Sequence, residues 1–227
     1  VQRVAMVMFQ NRIRHQRTDI ELDNKPDWFT KQCPTQNVPL LIIDDDKTLF
    51  EADAICRYLD ALMWKSLFPV DAYVMALHHS AMAIGEKILS LTADLIYRDL
   101  SEEIVDATLH QIHKQFAIVS RLITPSPLAQ DSDLTLLDMV FATVFRPLPL
   151  ISVGLNRDLC AGFADLRGWA TDLAANRTVI SAVPSSYFAE MHEFISRKNG
   201  YLAHRLRAIP ADGLELKNVG ECNVVSL

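Results

Sequence analysis

Asn24-Lys-Pro-Asp-Trp-Phe-Thr-Lys-Gln-Cys33-Pro-Thr-Gln-Asn-Val38-Pro39-Leu-Leu-Ile-Ile-Asp44-Asp-Asp-Lys-Thr-Leu-Phe50-Glu51-Ala-Asp-Ala-Ile-Cys-Arg-Tyr-Leu-Asp60 is the stretch that decides the fold. Val38 to Ile43 is a short, branched apolar run of the kind that forms a buried strand. The three aspartates from Asp44 to Asp46 signal a turn, and Thr48 to Phe50 reads as a second strand returning beside the first. From Glu51 the apolar period lengthens to that of a helix, with Ala54, Ile55, Tyr58, Leu59 and Leu62 on one side. Pro39 lacks a ladder donor, so it belongs at the start of its strand. By base rate alone its peptide bond is trans.

Lys25-Pro-Asp-Trp-Phe29, Cys33-Pro34, Val38-Pro39 and Phe50-Glu51 before a helix, taken together in register, resemble the cytosolic glutathione transferase superfamily. The omega-like and related bacterial members are the nearest pattern. The resemblance implies a cis Val38–Pro39 bond and a site for glutathione, an extended tripeptide with two carboxylates, an ammonium and a thiol. Val38 would pair its backbone N–H and C=O with the ligand's cysteine, like an added strand. Glu51 would meet the γ-glutamyl ammonium, and the amides opening the next helix would take the α-carboxylate. Lys25 matches the position that reaches the glycine carboxylate. Read without the resemblance, it is a solvated lysine ahead of a helix. The family usually places Ser after the Glu; here it is Ala52, which keeps its N–H but loses a hydroxyl, weakening binding by about 0.5–1.5 kcal/mol.

The chain has 227 residues, half of them hydrophobic and only seven of them glycine. That suits a globular, mainly helical protein with a sizeable core. A net charge of −6 argues against a nucleic-acid partner. Cys33, Cys56, Cys160 and Cys222 form no CxxC pair, so they read as reduced thiols in a cytoplasmic protein with no metal site. No apolar run of membrane-spanning length and no charged leader stands out, so neither a membrane span nor a signal peptide is expected.

Taken in order, Val1 to Arg14 reads as a helix burying Val1, Val4, Ala5, Met8 and Phe9, and Arg17 to Leu22 as a strand. Pro26 suits a helix start. The family's thiol-activating residue would fall three places before Val1, so no catalytic residue is assigned in this chain. Met63 to Val70 reads as a linker anchored by Trp64, Phe68 and Pro69. Asp71 caps a long helix whose seam is Val74, Leu77, Ala81, Ile84, Ile88, Leu91 and Leu95. Ser101 caps a second, with Val105, Leu109, Ile112, Phe116, Val119 and Ile123 facing the first. Thr135-Leu-Leu-Asp138 is a capping box with Asp in place of Glu, leading into a helix that Pro147 and Pro149 end. Asp158 to Ala175 and Ser185 to Lys198 read as further helices. Residues 209–227 read as a tail, whose β-prone end from Cys222 to Leu227 could take the place of the family's first strand.

Other constellations fall short. His110 and His113 share a helix face without a third ligand, and His192-Glu193 lacks the second His of a zinc motif. Cys33 stands close to the Val38–Pro39 loop and reads as structural. The expected architecture is therefore α/β plus all-α: a thioredoxin-like glutathione-binding domain over residues 1–62, lacking its first strand, a linker over 63–70, and an all-helical domain over 71–208. The expected function is glutathione S-transfer, with glutathione as co-substrate and a small electrophile as partner. Met75, His79 and Met82 are candidates for the electrophile's side of an interdomain cleft. The family usually dimerises, so a homodimer is expected. The alternative is a non-catalytic binding or scaffold protein on the same fold.

Overall fold

The computed structural model describes residues 1–44 and 46–209. The chain divides into two compact units, Val1–Leu67 and the residues from Phe68 onward.

In the first unit, α1 (Gln2–Gln10) and α2 (Asp27–Gln32) precede a β-hairpin of β1 (Leu40–Ile43) and β2 (Lys47–Phe50), followed by α3 (Ala52–Ala61). The hairpin is antiparallel, with Leu40 opposite Phe50 and Ile43 opposite Lys47. Asp44 turns the chain at φ 51°, a conformation that Asp tolerates better than most residues. α1 packs on α3, and α3 on β2. The buried side chains of this unit include Val4, Met6, Val7, Phe29, Ile55, Cys56 and Leu59.

Several expectations change here. The first helix is shorter, because the Asn11 amide donates to the Val7 carbonyl at 2.9 Å and Arg12 turns away at φ 52°. Its buried stripe runs through Val4, Met6, Val7 and Met8, while Val1 and Phe9 are half exposed. Arg17 to Leu22 forms no strand: its alternation puts Ile20 and Leu22 on one face, but no ladder partner for it exists among the described residues, and Leu22 is left exposed. Ala54 and Leu62 face outward from α3, which buries only Ile55, Cys56 and Leu59. Trp64 is fully exposed and anchors nothing within its unit. Leu67 does so instead, buried, with its N–H donating to Asp60 Oδ1 at 2.6 Å.

The second unit is all-helical: α4 (Ala72–Tyr97), α5 (Glu102–Leu122), α6 (Leu136–Phe145), α7 (Leu148–Leu155), α8 (Ala164–Ala175), α9 (Arg177–Ser181), α10 (Tyr187–Ser196) and α11 (Tyr201–Arg207). α4 packs against α5 and α6, α6 against α8, and α7 against α11. Asp71 and Ser101 cap α4 and α5 as expected, accepting from Val74 and Ile104 amides. The α5 seam follows the sequence, but the α4 seam starts about two turns late. It runs Ala81, Met82, Gly85, Ile88, Thr92, Leu95 and Ile96, and Val74 is exposed. Gly85 sits in this seam because a Cβ there would lie 2.9 Å from Val140 Cγ1.

Pro147 does not simply end α6. It is the N-cap of α7, a helix absent from the sequence reading, since proline's fixed φ suits a helix start as well as a stop. Leu136–Leu155 is apolar enough by length and composition to span a membrane, which corrects the expectation that no such run exists. It is two core helices meeting at Arg146-Pro147, and 83% of the apolar window is buried within the fold. Asp158 to Phe163 is a turn rather than part of α8, and the Ser185 helix begins at Tyr187. The reading of Cys222 to Leu227 lies outside the described residues.

Candidate functional site

The hairpin register brings the expected recognition residues to one place. Leu40 and Phe50 are the terminal ladder pair, so Val38-Pro39 enters and Glu51-Ala52 leaves at the same end of the hairpin. The Val38–Pro39 bond is cis, and both residues are half-buried.

Glu51 is the most unusual residue of the group. It holds φ 65° and ψ 122°, a left-handed conformation that costs a side-chain-bearing residue on the order of 1–3 kcal/mol. Glycine would adopt it freely, yet the position carries a glutamate whose side chain is exposed and makes no ion pair among the described residues. Glu51 is also the N-cap of α3, and no side chain caps the helix there. The first-turn amides of α3 therefore have no side-chain cap, and the exposed Glu51 carboxylate is carried by the residue just before them. Asp53 in that turn is engaged with Arg57, its Oδ2 accepting from Nε at 2.7 Å. The sequence carries no local signal for the strained backbone, because glutamate is not a residue that announces a positive φ.

Ala52 opens α3 and is half-buried, so its amide is present and a hydroxyl is absent. Lys25 stands half-buried just before Pro26, the N-cap of α2, and makes no hydrogen bond or ion pair among the described residues. The hairpin register does not position it.

The other candidates resolve into structure. Cys33 is fully buried, its thiol donating to the Asn37 carbonyl at 3.3 Å. His113 Nε2 bonds the Ala161 carbonyl at 3.0 Å and its ring packs on Phe163. His192 is buried with Nε2 at 2.9 Å from the Ile209 carbonyl. Among the described residues no three acidic, His or Cys side chains form a metal-binding group. On α4, Met82 is a core residue, Met75 is half-buried, and His79 lies against the Phe68 ring at 4.8 Å.

Residues 1–62 match the family model described as glutathione S-transferase, N-terminal domain. Glutathione S-transferase omega-1 of Sus scrofa is 31% identical over 124 residues, 54% of this chain and 51% of the relative. The chain spans about half the length of the curated relatives it matches. Among solved structures, glutathione transferase Omega 3C from Trametes versicolor superposes with a TM-score of 0.68 at 18% identity, covering 82% of this chain and 84% of that one. A glutathione S-transferase from Methylobacillus flagellatus, solved with glutathione bound, gives 0.66 at 15% identity over 81% of this chain and 93% of that one. At these identities the two structures speak to the fold: a thioredoxin-like first domain followed by an all-helical second one.

Proposed function

We propose that the chain is a member of the cytosolic glutathione transferase superfamily, as the match of residues 1–62 to its N-terminal domain supports, and that its first unit binds glutathione through Lys25, Val38, Pro39, Glu51 and Ala52. The observation that carries the reading is Glu51, an exposed carboxylate held at a positive φ on the uncapped start of α3. Such strain persists where a backbone position is needed for binding.

The ligand's chemistry fits what is offered. The Glu51 carboxylate pairs with the γ-glutamyl ammonium, and the opening amides of α3 take the adjacent α-carboxylate, aided by the positive end of the helix. Val38 pairs its backbone with the cysteine of the tripeptide as a strand pairs with its neighbour. Lys25 meets the glycine carboxylate. A glutathione held in this way carries its thiol free to react: as thiolate it attacks an electrophilic carbon, the C–S bond forms, and the leaving group departs with its electron pair. The electrophile is a small molecule, and the protein works in the cytoplasm as a homodimer. The buried free thiol of Cys33 supports a reducing compartment.

A second reading has its own support. Ala52 in place of a hydroxyl-bearing residue loosens the hold on the ligand's α-carboxylate and favours a non-catalytic binding or scaffold protein on the same fold, one that binds glutathione weakly. Titration calorimetry with glutathione tests the shared premise, and a coupled assay with a model electrophile separates the two readings. Glu51→Ala should abolish glutathione binding. Unchanged affinity in that variant would overturn the site.

A further inference from the structure

Thr124-Pro125-Ser126-Pro127 connects α5 to α6 in the second unit. Each hydroxyl residue precedes a proline, whose ring disfavours the helical region and holds the preceding residue in extended backbone. No backbone hydrogen bond involves residues 124–127 among the described residues, and the Ser126 hydroxyl has no partner among them. Ser126 and Pro127 are both exposed. The chain beyond is tied down: Leu128 donates its N–H to Asp172 Oδ2 at 3.0 Å, and Arg177 donates its own to the Gln130 carbonyl at 2.9 Å. Asn176 Nδ2 holds the Ser132 carbonyl at 3.0 Å. An open, extended tetrapeptide thus abuts a segment stitched to the junction of α8 and α9.

We propose that Ser126 is a phosphorylation site for a proline-directed protein kinase, and that its phosphate loosens the loop by repelling Asp172. Such a kinase encloses the residue after the target in a pocket shaped for proline. Pro127 is exposed and can enter it, whereas Pro125, which follows Thr124, is half-buried. Thr124 is also next to Ile123, the C-cap of α5, where the negative end of the helix opposes an added anion. In the transfer, Ser126 Oγ attacks the γ-phosphorus of ATP. The new O–P bond forms as the bond to ADP breaks, and the hydroxyl proton passes to the kinase's carboxylate base. The product carries close to two negative charges two residues from Leu128. The Asp172 carboxylate that holds Leu128 then faces a like charge.

The test incubates the full 227-residue chain with a purified proline-directed Ser/Thr kinase and ATP, followed by peptide mass spectrometry and thermal melting. The expected result is one phosphate at Ser126, retained in Thr124→Ala and lost in Ser126→Ala. The phosphorylated chain should melt lower by about 2–4 °C. In Asp172→Asn, which keeps an acceptor oxygen for Leu128 but no charge, that drop should vanish. Phosphate at Thr124 alone overturns the assignment. So does a Ser126 that accepts phosphate only after the chain is unfolded. A melting shift that persists in Asp172→Asn overturns the coupling.

Discussion

The indole N–H of Trp169 donates to Asp138 Oδ1 at 2.9 Å, tying α8 to the capping box that opens α6. The other oxygen of Asp138 accepts from the Thr135 amide at 2.9 Å and the Thr135 hydroxyl at 2.6 Å, while Thr135 Oγ1 accepts from the Asp138 amide. One carboxylate therefore satisfies a helix N-terminus and a buried aromatic donor on a second helix. Trp169 also stacks on Phe141 at 4.6 Å between ring centroids.

Asp138→Ala removes acceptors for all three donors, and the indole N–H then stays buried without a partner. The expected loss is about 2–4 kcal/mol of unfolding free energy. Asp138→Asn keeps one acceptor oxygen and should lose clearly less. Urea denaturation of the two variants beside the parent checks the order.

Glu51 lets stability and binding be separated at one residue. Glu51→Gly relieves the positive φ and should raise stability by about 1 kcal/mol, even though it deletes a side chain. The same substitution should abolish glutathione binding in calorimetry. Ala52→Ser should act the other way on binding, tightening it by up to about tenfold through one recovered hydrogen bond. If Glu51→Gly is less stable than the parent, the backbone is not under the strain inferred.

The capping box of Thr135 and Asp138 was legible in the sequence because its chemistry is local: four residues specify both partners. The hairpin and α3 were legible for the same reason, and the α5 seam from its period. What the sequence hid depends on partners distant in the chain. Trp169 meeting Asp138 joins positions 31 apart, and no local pattern announces it. Val74 and Leu77 have the right period for α4, but Val74 is exposed and Leu77 only half-buried, so the buried seam starts at Ala81. Arg17 to Leu22 shows the same dependence, since a strand exists only with a neighbour to bond. Pro147 was ambiguous in kind, because one ring ends one helix and starts the next.

His78 makes stability depend on pH. Its Nδ1 is buried without a hydrogen-bond partner, and burial pulls its pKa below the usual 6.5, with the Asp138 charge opposing in part. As pH falls through 6.5, the unfolded chain takes up the proton before the folded one does, so stability is lost on the acid side of that value and complete above it. Unfolding free energy measured at about pH 7.5 and about pH 5.5 should fall between the two in the parent. The fall should be smaller in His78→Leu. The difference between the two proteins reports His78 together with its charge coupling to Asp138 and His79, and identical falls would remove it from the account.

Two glycines in helices test how tightly the second unit is packed. Alanine is worth about 1 kcal/mol over glycine in a helix interior, so any Gly→Ala change starts with that gain. At Gly168, on α8, a Cβ meets nothing within 4 Å and the position is exposed, so Gly168→Ala should realise the gain and raise the melting temperature. At Gly154, on α7, a Cβ would lie 2.8 Å from Leu206 Cδ2 and Cγ and 2.9 Å from Leu202 Cδ1. Both leucines are buried on α11, so neither can swing into solvent. Forcing one methyl into such a contact costs about 1–3 kcal/mol, which meets or exceeds the helical gain. Gly154→Ala should therefore lower stability while Gly168→Ala raises it. Adding Leu206→Val should recover part of the loss in Gly154→Ala, since it withdraws atoms from the clash. Without that recovery, the close packing of α7 on α11 is not what sets the cost.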